Sequence, residues 1–253
     1  MKEGIHIGTS GWSYKHWKNI FYPQKLKNID WLSFYAQSFK ITELNTSFYH
    51  LPVLTTTTAW AKKVPRDFMF CPKMSRYLTH MKKLNNPEES FIPFFDVFAP
   101  LKRKLGPVLI QLPPSLHFHI DKAEHLYKLC RKKYAYYRFA MEVRHASWLE
   151  KESLDLMKQY NMAFVIAQSG TYFPYAENIT AQHIYVRFHG PGQLYASSYS
   201  DEQLNNFATL FKQWENEGHS VWAFFNNDVF GYAIENAKRL MEMCGVSNNL
   251  NTE

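Results

Sequence analysis

Two carboxylates, three cations and two histidines stand at or just beyond the ends of short apolar runs: Glu43, Glu142, Lys73, Arg144, Arg187, His145 and His189. Carboxylates in unequal surroundings can divide the roles of acid and base, and a histidine can exchange a proton near neutral pH. Glu43 and Glu142 are therefore the candidate acid/base pair, with His189 and His145 as candidate bases beside cationic neighbours. Lys73, Arg144 and Arg187 suit an anion, because guanidinium forks match carboxylate and phosphate geometry. Asn45, Gln111, Asn226, Asn227 and Asp228 would supply further polar contacts. Trp12, Tyr14, Tyr49 and Trp148 would offer ring faces to a sugar or base. Gly190-Pro191-Gly192 could present free backbone N–H groups to an anion.

The same charges could instead form an internal ion-pair network, such as Glu142–Arg187 or Glu43–Lys73. A glycosidase would need its two carboxylates at a fixed separation, which a sequence does not give. Glu43, Glu142, His145, His189 and Asp228 carry metal-ligating atoms. The chain has no HExxH and no close His-x-His pair, however, and the nearby cations would repel a metal ion. No cofactor is expected, and a divalent metal is the weaker alternative.

These residues need elements to hold them. Apolar runs alternate with amphipathic ones along the whole chain, which predicts strands at Ile5–Gly8, Lys40–Asn45, Phe68–Lys73, Val108–Leu112, Arg138–Val143, Ala163–Gln168, His183–Phe188 and Val221–Asn226. Helices are expected between nearly all of them. Their starts are marked by Asp30, by Asn86-Pro87-Glu88-Glu89, and by capping-box pairs Asp121/Glu124, Ser147/Glu150 and Ser200/Gln203. Pro93 and Pro100 should break or kink the helix that follows Asn86. The stretch from Ser169 to Gln182 shows no helix. Eight strict β–α units imply a parallel sheet with right-handed crossovers, closed as a single (β/α)₈ TIM-type barrel over residues 1–253. A doubly wound open sheet would want a glycine-rich phosphate turn, and no GxGxxG is present.

Side chains alternate across a strand, so the apolar set should face the helices and the other set the barrel axis. Phe139, Met141 and Val143 then face outward, leaving Ala140, Glu142 and Arg144 inward. Ile184, Val186 and Phe188 leave Tyr185, Arg187 and His189 inward. By the same parity Met69, Cys71 and Lys73, His6, Gly8 and Ser10, Leu109 and Gln111, and Glu43 with Asn45 point to the axis. The charged members cluster at the C-terminal strand ends, where barrel enzymes carry their sites.

The chain is 253 residues long with 46% hydrophobic residues, enough for one large core. Its formal charge of +7 favours anionic partners. The basic runs 102–104 and 131–133 fall near expected helix ends, where cations suit the helix dipole. Three dispersed cysteines fit a reducing compartment. With no secretory h-region and no membrane-length apolar run, a cytoplasmic protein without a membrane partner is expected.

Several motifs together resemble the YecE-like family, whose function is unknown. They are Ile7-Gly8-Thr9-Ser10-Gly11-Trp12-Ser13-Tyr14, Phe21-Tyr22-Pro23, Glu43-Leu44-Asn45-Thr46-Ser47-Phe48-Tyr49, Gln111-Leu112-Pro113-Pro114 after Gly106-Pro107, Glu142-Val143-Arg144-His145-Ala146-Ser147-Trp148, Tyr185-Val186-Arg187-Phe188-His189-Gly190 and Phe225-Asn226-Asn227-Asp228 with Gly231-Tyr232-Ala233 and Asn236-Ala237. Lys73 with Arg76, Thr79 and His80 matches the family's third segment. The resemblance spans nearly the whole chain and implies a barrel fold without naming a reaction. From the residues, the leading expectation is an enzyme, a hydrolase or an isomerase/lyase, acting on a small sugar- or nucleotide-like anion. The alternatives are a nucleic-acid-binding protein or endonuclease-IV-like phosphodiesterase, and a non-catalytic ligand sensor. Oligomeric state is left open.

Overall fold

The computed structural model describes residues 4–246. Eight parallel strands run in chain order as β1 (Ile5–Thr9), β2 (Ile41–Leu44), β3 (Met69–Pro72), β4 (Val108–Gln111), β5 (Phe139–Glu142), β6 (Ala163–Gln168), β7 (His183–Phe188) and β8 (Ser220–Phe225). The helices are α1 (Trp31–Ser38), the single turn α2 (Thr46–Tyr49), α3 (Leu54–Lys63), α4 (Glu88–Phe98), α5 (Ile120–Lys133), α6 (Lys151–Gln159), α7 (Asp201–Asn216) and α8 (Tyr232–Cys244). As the irregular composition of Ser169–Gln182 suggests, no helix separates β6 from β7.

The sheet runs β3-β2-β1-β8-β7-β6-β5-β4. Its two ends meet through isolated parallel bridges, Phe70 to Leu105 and Lys73 to Leu109. There the Gly106 N–H donates to the Phe70 carbonyl at 2.9 Å and the Met74 N–H to the Leu109 carbonyl at 2.8 Å. The result is the (β/α)₈ barrel implied by the alternation of elements.

Parity divides the core in two. Ile41, Cys71, Leu109, Ala140, Tyr185, Trp222 and Phe224 pack together inside the barrel with Ala163, Val165 and Ala167. Ile7, Leu44, Phe70, Ile110, Met141, Val186 and Phe225 belong to a separate, larger cluster under the helices. Small residues on β5 and β6 make room inside for the large rings of β7 and β8. At the base, His6 lies against Trp222 with ring centroids 4.3 Å apart.

Gly8 shows how tightly the inner layer is drawn. A Cβ added there would come within 2.3 Å of the Ile41 carbonyl oxygen. The obstacle is backbone and has little freedom to retreat. Gly8→Ala is expected to destabilise the fold by about 2 kcal/mol, the ordinary scale for an overpacked core. Denaturant unfolding that placed the variant level with the wild type would contradict this packing.

Helix starts follow the sequence less closely than strands do. Only the Ser200/Gln203 capping box of the three expected is formed, with Gln203 N–H donating to Ser200 Oγ at 3.2 Å and Ser200 N–H to Gln203 Oε1 at 3.0 Å. At α5 the cap position is His119, two residues before Asp121, and no side chain caps it. Asp30 does not cap α1 through its side chain, and Pro87 takes the cap position of α4. Ser147 lies within a 3₁₀ turn, Ala146–Leu149, and α6 begins only after Glu150. Pro93 is accommodated inside α4, and the change to a 3₁₀ turn comes at Ala99, with Pro100 in its first residues. A proline removes one donor and crowds the turn behind it, so its effect depends on what that turn can yield.

Candidate functional site

The centre of the barrel mouth is a clamp around Arg187, which is 1% exposed at the end of β7. Its Nε and Nη2 donate to the two oxygens of Glu43 on β2, at 2.9 and 2.7 Å. Its Nη1 donates to Glu142 Oε2 on β5 at 2.5 Å. Both carboxylates are fully buried, and Tyr185 Oη adds a hydrogen bond to Glu43 at 2.8 Å. Glu142 also accepts from Arg144 Nη2. Burial opposes ionisation of Glu142, but Arg187, Arg144 and His189 outweigh it and hold the carboxyl well below its ordinary range.

The clamp bears on two expectations, the acid/base pair and the internal ion-pair network. Of the ion pairs suggested by parity, Glu142–Arg187 forms; Glu43 pairs with Arg187 instead of Lys73. The two carboxylates are joined through a guanidinium, which occupies the space a glycosidase keeps for substrate between its acid and its base. A Glu142 held firmly ionised is also a poor general acid.

Lys73, one residue past β3, points its Nζ at Gln111 Oε1 of β4, 2.7 Å away, and over the ring of Phe48, 4.0 Å from the centroid. Burial first, then the Arg187 charge, lower its pKa to about 7. Arg144, just past β5, lays its guanidinium 3.3 Å above the centroid of Phe173. Its Nε is buried and has no hydrogen-bond partner.

His189 is fully buried with Nε2 3.5 Å from Glu142 Oε1 and Nδ1 3.2 Å from Asn226 Nδ2. An amide N–H can only donate, so Nδ1 is the acceptor and the ring proton sits on Nε2, facing Glu142. Burial lowers the His189 pKa to about 4, with Glu142 working against the shift and Arg187 and Arg144 adding to it. The ring is neutral at physiological pH.

Other expected residues lie elsewhere or serve the backbone. His145 caps the turn after β5, its Nδ1 accepting from the Ser147 N–H, and its ring stacks on His117. Trp148 is buried in the outer core and donates to the Leu116 carbonyl. Tyr49 is exposed at 62%. Asn227 ties down the loop after β7 through Ser197 and Asn236. The Asp228 carbonyl accepts from His16 and Trp17, and burial raises the pKa of its carboxyl. The N–H groups of Gly190 and Gly192 are taken by Tyr199 Oη and Ser197 Oγ, so this turn offers no free donors from either glycine. Among the described residues, no group of three His, Cys, Asp or Glu side chains is placed to hold a metal ion.

Beside the mouth, a cavity of about 570 Å³ opens between the loop after β1 and helix α3. Trp12, Tyr14, Asn45 and Trp60 are among its walls, and Trp12 meets Trp60 edge to face. Ser10 Oγ and Asn45 Oδ1, both buried, have no hydrogen-bond partner there. Trp60 and Phe173 are absent from the sequence-derived set. Trp60 reads as one more residue of an amphipathic helix, and Phe173 lies in a segment without periodicity.

Similar proteins were found at the level of both sequence and structure. The chain is 24% identical to the UPF0759 protein YunF of Bacillus subtilis, over 96% of its own length and 95% of that protein. It is 26% identical to the UPF0759 protein YecE of Escherichia coli K12, over 58% of this chain and 51% of that one. A crystal structure of a DUF72 family protein from Thermotoga maritima superposes with a TM-score of 0.85 at 29% identity, covering 96% of this chain and all of that one. One from Enterococcus faecalis, at 23% identity and a TM-score of 0.81 over 96% of both chains, shares the fold. The family model described as "Protein of unknown function DUF72" matches residues 6–253, and the chain belongs to that YecE-like family of barrel proteins.

Proposed function

We propose that the barrel mouth binds a small anion and is the active site of an enzyme. The observation that carries this reading is a charge imbalance. Three cations, Lys73, Arg144 and Arg187, converge on two carboxylates, Glu43 and Glu142. Arg187 is saturated, so an incoming carboxylate or phosphate group would meet Lys73 and the free Nε edge of Arg144. The neutral His189, held by Asn226, is the adjacent group able to carry a proton. Glu43 and Glu142 position Arg187 in this scheme instead of acting as acid and base.

The imbalance has a pH signature. An anion favours the protonated form of Lys73, whose free pKa is about 7, so binding takes up a proton above that pH. Sulfate, whose charge is constant across the range, is expected to bind progressively more weakly above pH 7, by up to about tenfold per pH unit. Lys73→Met should weaken binding at pH 6 and flatten the profile. Calorimetric titration at low salt measures both. Sulfate affinity that is equal in wild type and Lys73→Met would remove Lys73 from the site, and no binding at pH 6 would defeat the anion reading.

A further inference from the structure

Lys73 is the group at the mouth whose surroundings do not match its charge. Its Nζ meets a neutral amide oxygen and a ring face, and among the described residues it makes no ion pair with a carboxylate. The charged and titratable groups that face it are Glu43 from β2, Glu142 and Arg144 from β5 and the turn beyond, Arg187 from β7 and His80 from the helical turn Tyr77–Met81. Two guanidiniums already balance the two carboxylates. The surplus charge is therefore the lysine's, and a lysine, unlike an arginine, can discard it. Burial and the Arg187 charge act in that direction, leaving a large share of neutral amine at physiological pH. A desolvated lysine beside other cations is the arrangement that makes an amine nucleophilic in water.

We propose that Lys73 forms an imine with the carbonyl carbon of a small aldehyde or ketone that also carries an anionic group, the anion lying along the free Nε edge of Arg144. The proposal rests on the anion-binding reading above and names its substrate class. The amine lone pair attacks the carbonyl carbon and a C–N bond forms. The former carbonyl oxygen collects the two protons of the nitrogen and leaves as water, and the C=N double bond remains. No oxidant or reductant takes part. Gln111, accepting one N–H, fixes the direction in which the amine presents its lone pair. The ring of Phe48 and the buried walls keep water from the product.

The test is reductive trapping at pH 7.5. Full-length protein is treated with cyanoborohydride and either glyoxylate or its methyl ester, and modified lysines are located by peptide mass spectrometry. Exposed lysines such as Lys151 serve as internal references. Lys73 is expected to react with glyoxylate about tenfold faster than any exposed lysine, since the neutral fraction rises as the pKa falls. The ester should lose that advantage, and sulfate should protect Lys73. In Lys73→Arg the fast adduct disappears while sulfate binding at pH 6 persists, which separates loss of the nucleophile from loss of the fold. Trapping at Lys73 no faster than at exposed lysines overturns the imine, even if sulfate binds. Fast trapping with equal rates for acid and ester keeps the nucleophile and overturns the anion partner.

Discussion

Arg187→Ala is expected to destabilise the protein by about 3–5 kcal/mol, the scale found when one partner of a buried ion pair is deleted. The reason is the state of what remains. Glu43 and Glu142 are both 0% exposed and share this one guanidinium, so its removal leaves two buried carboxylates without the cation that joins them. Arg144 still reaches Glu142, but among the described residues the Glu43 carboxylate keeps only the Tyr185 hydroxyl as a hydrogen-bond partner. The deficit should shrink as pH falls. A buried carboxyl without its cation has a folded pKa raised above its unfolded value, and such a group gives up stability as pH rises and regains it as pH falls. The difference between variant and wild type at pH 5 should therefore be smaller than at pH 8. Chemical denaturation at the two pH values measures it. A loss under about 1 kcal/mol at pH 8 would mean that the carboxylates find water or another cation, and the clamp would not be the organising feature of the mouth.

The second large effect is acid lability well above the carboxylate range. His183 and His189 are both buried, with pKa values lowered to about 3 and about 4. Burial is the main cause in each; Arg138 adds to it at His183, and Arg187 and Arg144 at His189. His183 Nε2 donates to the Phe139 carbonyl at 3.0 Å, so the neutral ring is already used as a strut between β7 and β5. For histidines with folded pKa values below the unfolded one, the unfolded chain binds protons first as pH drops. Stability is fully present above about pH 6.5 and declines below it, by about 2 kcal/mol per histidine between pH 7 and pH 5. Glu142, with its own depressed pKa, contributes in the same direction only at more acid pH. Proton uptake on unfolding near pH 5.5 should approach two, and His183→Asn should remove about one of them. A flat stability between pH 7 and pH 5 would show that these rings are solvated or already charged in the fold.

How far the residues foretell this arrangement depends on the kind of information each inference needs. Facing is periodic, and period is visible in a sequence: the alternation of Phe139, Met141 and Val143 against Ala140, Glu142 and Arg144 assigns sides that the two core clusters reproduce. Partner choice is different. Once Glu43, Lys73, Glu142, Arg144 and Arg187 share one end of the axis, any cation could take either carboxylate, and the outcome is set by strand order and side-chain reach. Arg187, entering from β7 with a long planar fork, reaches both, and Lys73 turns to Gln111 on the adjacent β4. Caps fail for a related reason. The Asp121/Glu124 spacing is right, but the backbone enters α5 two residues earlier, at His119. Trp148 after β5 and Tyr49 after β2 carry the same aromatic signal, and only packing sends one into the core and the other into solvent.

The bridges that bring β3 and β4 together close the barrel along one sparsely paired line. Along it the cylinder is stitched at a few points, as it is between β1 and β2 and between β5 and β6, whereas β7 and β8 share a continuous ladder. At the rim, the last stitch is the hydrogen bond from Lys73 to Gln111. The amine to which we assign ligand binding thus also ties β3 to β4 at the rim. Anything that draws Lys73 away from Gln111 loosens the rim along this line, and anything that holds both residues together fastens it. The proposed chemistry at the mouth and the tightness of the barrel wall would then depend on one contact.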